Sequence, residues 1–128
     1  MNTDRNDRDG LNAISERIIG CAFTVANTLG VGFLEKVYEN ALAIELREAG
    51  LTVSQQYPMT VRYNGTPVGE YTADLLVADR VLVELKAVKS LDDIHTAQCL
   101  NYLRASNLPL CLLLNFGRPR LEIKRLMF

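Results

Sequence analysis

The residues best suited to chemistry lie between Tyr71 and Lys86, where Asp74 is followed ten positions later by Glu84-Leu85-Lys86. On an extended strand Glu84 and Lys86 share one face, and Val83 and Leu85 share the other. If Ala78, Asp79 and Arg80 form a three-residue loop, Val77 pairs with Val81 and Asp74 falls opposite Glu84. Cβ atoms paired this way stand about 4.5–5.5 Å apart. Two like charges so placed destabilise a sheet unless something positive sits between them. A divalent cation resolves the conflict, and Lys86 extends the same face. Mg²⁺ (or Mn²⁺) fits this expectation, because it takes hard oxygen ligands, keeps several waters and needs only one or two carboxylates plus substrate phosphate. Such a site suits phosphodiester hydrolysis: the ion activates water and stabilises charge on phosphate, and the lysine orients the attacking water or offsets transition-state charge. The same residues would also arise on an exposed strand face where Lys86 bridges two solvated carboxylates. An E-x-K triplet alone carries little weight, for Glu122-Ile123-Lys124 is a second one. That triplet lacks an aspartate on a preceding partner strand and reads as strand surface.

Three further groups bear on the site. Gly32-x-x-Glu35-x-x-Tyr38 puts Glu35 and Tyr38 on one helical face. Glu35 is a candidate metal ligand or holder of a coordinated water, against the plainer reading of an acid favoured in a first helical turn. Tyr38 is a supporting residue, or simply a core aromatic. Gln98 and Tyr102 lie one turn apart on a later helix, where Gln98 would orient the catalytic water or Lys86 with Tyr102 behind it; helix packing explains both equally simply. Arg118, Arg120, Lys124 and Arg125 are candidates for phosphate contacts, or solvated surface cations. His95, the only histidine, is expected to have no direct role.

The elements that must position these residues follow from periodicity. Apolar residues at Ile14, Ile18, Cys21, Ala22, Val25 and Leu29 mark a helix over 11–29. Gly30-Val31-Gly32 breaks it, and a second helix runs from about 34 to 49, ended by Gly50. Period-two patterns then predict strands over 51–56, 59–63, 68–77 and 81–87, with Asn64-Gly65 as a hairpin turn. Ser90-x-x-Asp93 resembles a capping box opening a helix over about 92–106. The apolar run 108–115 reads as a strand covered on both faces, and 121–127 as a last strand. This order predicts an α/β (α+β) domain, a central mixed β-sheet flanked by α-helices. Residues 1–10, polar and crowded with Asp, Asn and Arg, read as a disordered tail, leaving 11–128 as a single domain.

Composition agrees with such a domain. The 128 residues suffice for one core, and 48% hydrophobic with 23% charged residues is ordinary for a globular chain. No apolar run approaches a membrane span, and the polar start is no signal peptide. Cys21, Cys99 and Cys111 form no C-x-x-C pair, which argues against a disulfide framework or structural zinc and for a reducing, cytoplasmic setting. The net charge is −1, yet residues 1–79 carry six Lys and Arg against eleven Asp and Glu, and residues 80–128 carry eight against four. A basic C-terminal portion beside acidic residues suits a polyanion bound through a metal.

With these residues in hand, the chain resembles the GxxExxY family through Gly32-Phe33-Leu34-Glu35-Lys36-Val37-Tyr38. The likeness continues through Asp74, Glu84-Leu85-Lys86, Gln98-x-x-x-Tyr102, Asn115-Phe116-Gly117 and Leu121 to Arg125. That family is assigned to the PD-(D/E)XK nuclease-like superfamily, so the resemblance implies a restriction-endonuclease-like core. It implies Asp74 and Glu84 as metal ligands, Lys86 as the catalytic lysine, Glu35 as the acid on the helix before the sheet, and Gln98 and Tyr102 as a RecB-like Q-x-x-x-Y motif. Ala73 stands where the superfamily's name has proline. The leading expectation is a metal-dependent nuclease acting on DNA, less so RNA, with no membrane partner. A double-strand cutter would require a symmetric homodimer. The alternatives are a catalytically silent nucleic-acid-binding or protein-interaction module on the same fold, and an enzyme for another phosphodiester or nucleotide.

Overall fold

The computed structural model describes residues 3–128, with side chains from residue 8 onward. Two helices, α1 (Thr3–Leu29) and α2 (Glu35–Glu48), precede a meander of β1 (Val53–Tyr63), β2 (Thr66–Val77) and β3 (Val81–Lys86). Helix α3 (Asp93–Ser106) then leads to β4 (Leu110–Asn115) and β5 (Glu122–Leu126). The five strands form one mixed sheet in sequence order; β3 and β4 run parallel and every other pair antiparallel. The expected mixed sheet flanked by helices is therefore present. Among the described residues no helix is long and apolar enough to cross a membrane.

Each face of the sheet buries its own core. Val81, Val83 and Leu85 of β3 and Leu110, Leu112 and Leu114 of β4 pack with Ile18, Ala22, Leu42 and Leu46 of α1 and α2. On the reverse face Leu82, Cys111 and Leu113 pack with Cys99, Tyr102 and Leu103 of α3. The unbroken apolar run of β4 follows from this, since a strand covered on both sides has no solvent face to make polar.

Three boundaries differ from the sequence expectation. Helix α1 extends back to Thr3, so residues 3–10 of the expected tail are helical and residues 1–2 lie outside the described residues. Once a helix is nucleated, each added residue gains a hydrogen bond, so a polar stretch can propagate it without burying anything. The strands expected over 51–56 and 59–63 are one strand, β1. Gln56 adopts a left-handed conformation (φ 56°), while Gln55 still pairs with Leu75 and Tyr57 with Ala73. The strand changes face there: Val53 packs toward α1 and α2, and Tyr57 and Met59 toward α3. Helix α3 is capped by Asp92, not Ser90. Asp92 Oδ1 accepts from the Ile94 amide at 2.9 Å and His95 Nδ1 accepts from the Asp92 amide at 3.2 Å. An aspartate and histidine three apart make the same reciprocal box as serine and glutamate.

The turns follow expectation. Asn64 and Gly65 both have positive φ and join Tyr63 to Thr66, and Val77 pairs with Val81 across Ala78–Arg80. After β3, the chain is clamped to β4 and β5 by Asn115, which is fully buried. Its Oδ1 accepts from the Val88 and Gly117 amides, each at 3.0 Å, and its Nδ2 donates to the Val88 carbonyl (2.9 Å) and to Glu122 Oε1 (2.8 Å). Glu122 also accepts from the Leu91 amide, so the second E-x-K triplet contributes a structural acid as well as strand surface. A Cβ at Gly117 would run into the backbone of Ala87 and Val88. Gly117→Ala is accordingly expected to lose about 3 kcal/mol of stability by overpacking against backbone that cannot step aside. Denaturant unfolding measures this, and an unchanged midpoint would refute the clamp.

Candidate active site

Where the β2–β3 ladder ends, two carboxylates take over its hydrogen bonds. Leu75 pairs with Val83, and the next residues along the two strands are Asp74 and Glu84. The Asp74 amide donates to Glu84 Oε1 at 3.0 Å, and the Leu85 amide donates to Asp74 Oδ2 at 2.8 Å. Each carboxylate thus satisfies backbone on the other's strand, and the pair is held rigidly. The expected opposition of Asp74 and Glu84 rests on the Val77–Val81 pairing, and that pairing is the observed one.

Burial makes the pair electrostatically unfavourable. Glu84 is 4% exposed. Desolvation, followed by the Asp74 charge, pushes its carboxyl up to about 9. Asp74 is raised as well, mainly by desolvation, with the Leu85 amide and Lys86 working against the rise. Lys86 thus acts electrostatically on this pair, and among the described residues no carboxylate lies within 4 Å of its ammonium.

Helix α3 brings its residues to the same face. Gln98 Nε2 donates to the Tyr102 hydroxyl at 2.9 Å. The Tyr102 hydroxyl is pushed up to about 12 by burial and then by the Glu84 and Asp74 charges, so it stays protonated at neutral pH and looks toward the carboxylates. Buried Cys99, beside Gln98, also feels Asp74 and Lys86.

Helix α2 supplies the other wall. Glu35 Oε2 accepts from the Ala87 amide at 3.0 Å, which pins the chain immediately after Lys86. Tyr38 is 1% exposed; its hydroxyl donates to the Gly30 carbonyl (2.6 Å) and accepts from the Phe33 amide (3.2 Å), and its ring stacks on Phe116 at 4.8 Å. Gly32, at φ 109°, sits in the loop so tied. Tyr38 is therefore a core aromatic that fixes the helix carrying Glu35.

Glu39 was not expected. One turn beyond Glu35 and 3% exposed, it accepts from Gln55 and Gln56 (each 2.8 Å) and pairs with Lys36 at 3.0 Å. Its charge reaches Asp74. The spacing Glu35-x-x-x-Glu39, two acids on one helical face, was the signal available for it.

The basic candidates are not gathered here. Arg125 pairs with Leu112, whose side chain belongs to the α1–α2 face, and it bonds Asn12 at 2.8 Å. Arg118 pairs with Glu122 at 3.6 Å, and Arg120 is exposed in the β4–β5 connection. Lys124 alone shares the Glu84 face, two strands away through Leu113, a separation of roughly 10 Å. His95 serves the α3 cap.

The donor set can be tested against a divalent cation. Among the described residues no group of three or more His, Cys, Asp and Glu is assembled as a metal cluster, and Glu35 is occupied with the Ala87 amide. The Asp74–Glu84 pair itself fits a hard cation. It offers two facing carboxylates whose mutual repulsion is relieved in this structure only by retained protons, and a cation bound to two carboxylates and otherwise to water is an ordinary arrangement for magnesium.

The raised Glu84 carboxyl has a signed consequence for stability. Its ordinary value is 4.5 and its folded value about 9, so between these limits the folded chain holds a proton that the unfolded chain has released. Without divalent metal, stability therefore falls as pH rises through this window, by up to about 1.4 kcal/mol per pH unit. Glu84→Gln removes that slope and leaves the smaller contribution of Asp74 at lower pH. Urea unfolding in EDTA from pH 5 to 9 measures both proteins, and a flat wild-type profile would contradict the assignment.

Comparison with protein families agrees with the geometry. Residues 12–126 match the model of the PD-(D/E)XK nuclease superfamily, whereas curated proteins and solved structures gave no significant match. The match spans the sheet, its three helices and the carboxylate pair, and the chain belongs to the PD-(D/E)XK nuclease superfamily.

Proposed function

We propose that this chain is a metal-dependent nuclease hydrolysing phosphodiester bonds, with DNA as the first substrate to test and RNA the second. The observation that carries this reading is the buried, mutually bonded Asp74–Glu84 pair under the influence of Lys86. Asp74 and Glu84 would hold Mg²⁺ or Mn²⁺, which supplies Lewis acidity toward both the phosphate and the attacking water. The backbone amides of Asp74 and Leu85 fix the two carboxylates, so little reorganisation is needed on loading. Lys86 places positive charge beside the phosphate where negative charge develops. Gln98 orients the Tyr102 hydroxyl, a protonated donor on the same side. Glu35 holds the chain after Lys86 in place, a positioning role in preference to direct ligation. The contacts of Gly32, Glu35 and Tyr38 give the GxxExxY motif a structural reason and support membership of that branch. Three free cysteines suit a reducing compartment such as the cytoplasm, and cutting both strands of a duplex would call for two copies.

The test is cleavage of single- and double-stranded DNA and RNA in Mg²⁺, Mn²⁺ or EDTA. Wild type is expected to cut only with metal. Lys86→Ala and Glu84→Gln should each lower the rate by roughly 10²- to 10³-fold or more, with folding intact by circular dichroism. Cleavage persisting in EDTA, or equal in the variants, would overturn the mechanism. Folded wild type that cuts nothing would favour a catalytically silent nucleic-acid-binding module.

A further inference from the structure

A groove of about 730 Å³ lies between α3 and the distal part of the β1–β2 hairpin, lined among others by Arg62, Tyr71, Gln98, Asn101, Tyr102 and Arg104. It reaches the active site through Gln98 and Tyr102, since Tyr102 also feels the charges of Asp74 and Glu84. Tyr71 is 52% exposed, and its ring is set against Tyr102 with centroids 6.0 Å apart and planes at 48°. Tyr102 thereby fixes Tyr71 with much of its surface left open to the groove. No aspartate or glutamate lines this space. Its two cations, Arg62 and Arg104, have no carboxylate partner among the described residues. Arg104 is positioned by Asn101 (3.3 Å) and by the Phe128 ring, 5.0 Å from its guanidinium. An anchored aromatic, amide side chains and uncompensated guanidinium groups are the elements that recognise an unpaired base and its phosphate.

Resting on the nuclease reading above, we propose that this groove receives an unpaired nucleotide stacked on Tyr71, and that the substrate is single-stranded nucleic acid. The groove volume lies within the range of small-ligand sites, about 300–1,000 Å³, which suits one or two nucleotides and not a duplex. Within a duplex each base face is already covered by its neighbours, so Tyr71 has nothing to stack on. Tyr71 precedes Asp74 by three strand residues, about 10 Å. That is a span of about three nucleotides at the ~3.4 Å rise of a stacked strand, so a base held at Tyr71 fixes which nearby phosphate faces the carboxylates. Arg62 and Arg104 flank the strand and make its binding dependent on salt.

The experiment is binding of fluorescent oligothymidine, the same strand carrying abasic positions, and a duplex of equal length, all in EDTA so that nothing is cut. Wild type is expected to favour the intact single strand over the duplex by at least tenfold. Tyr71→Ala should weaken single-strand binding about 5- to 100-fold, the worth of one base–aromatic stack, and Tyr71→Phe should retain it. The abasic strand should bind wild type and Tyr71→Ala alike, and Arg62→Ala with Arg104→Ala should flatten the salt dependence. Equal single-strand affinity of folded Tyr71→Ala and wild type, a duplex preference, or no binding at all overturns the proposal. Tyr71-dependent single-strand binding without cleavage in metal would leave the groove assignment standing and remove the nuclease reading. Metal-dependent cleavage of duplex, indifferent to Tyr71, would do the reverse.

Discussion

The structure depends on one exchange at the end of the β2–β3 ladder, where side-chain carboxylates replace backbone carbonyls as acceptors for the Asp74 and Leu85 amides. Without it two buried amides would lack partners, and the strands would be free to splay where the chemistry is placed. With it, two acids are fixed in mutual opposition inside an apolar sheet, a state that holds its protons or takes a cation. Structural closure and chemical reactivity here come from the same four groups. Neither acid can be removed without disturbing backbone, which is why isosteric amides separate the two roles better than truncation does.

Around that exchange the remaining elements act as supports converging on the segment after Lys86. Glu35 holds the Ala87 amide from α2. Asn115 grips Val88 from β4, and Glu122 holds Leu91 from β5. Tyr38, stacked on Phe116, connects the first support to the second. Lys86 is thus followed by chain fixed from both sides of the sheet, so its short lever starts from a defined point. Preorganisation of this kind allows an unremarkable lysine to meet a phosphate at low entropic cost.

Much of this was legible in the residues. The Asp74–Glu84 register followed from a loop length and the period-two rule, both of which are local. The apolar strand β4 and the helices α1 and α2 were clear because tertiary packing repeats the helical or strand period. What escaped the sequence was non-local. The left-handed Gln56 that joins two short patterns into β1 depends on its partner strand. The buried acid Glu39 is stabilised by Gln55 and Gln56, which are remote in sequence. Glu122 looked like strand surface because its bond to Asn115 spans a turn. Arg125 and Lys124, adjacent in the chain, were read together as a basic patch, yet strand alternation sends them to opposite faces.

The clamp through Asn115 and Glu122 has a consequence for when the molecule becomes dangerous to nucleic acid. Asp74, Glu84 and Lys86 occupy the middle of the chain, but the segment that steadies Lys86 is held by the last two strands. A chain with β1, β2 and β3 folded would carry every acid of the site and still lack the grip on Val88 and Leu91. Competence is therefore timed to the end of folding, and β5 serves as the latch that arms residues laid down long before it.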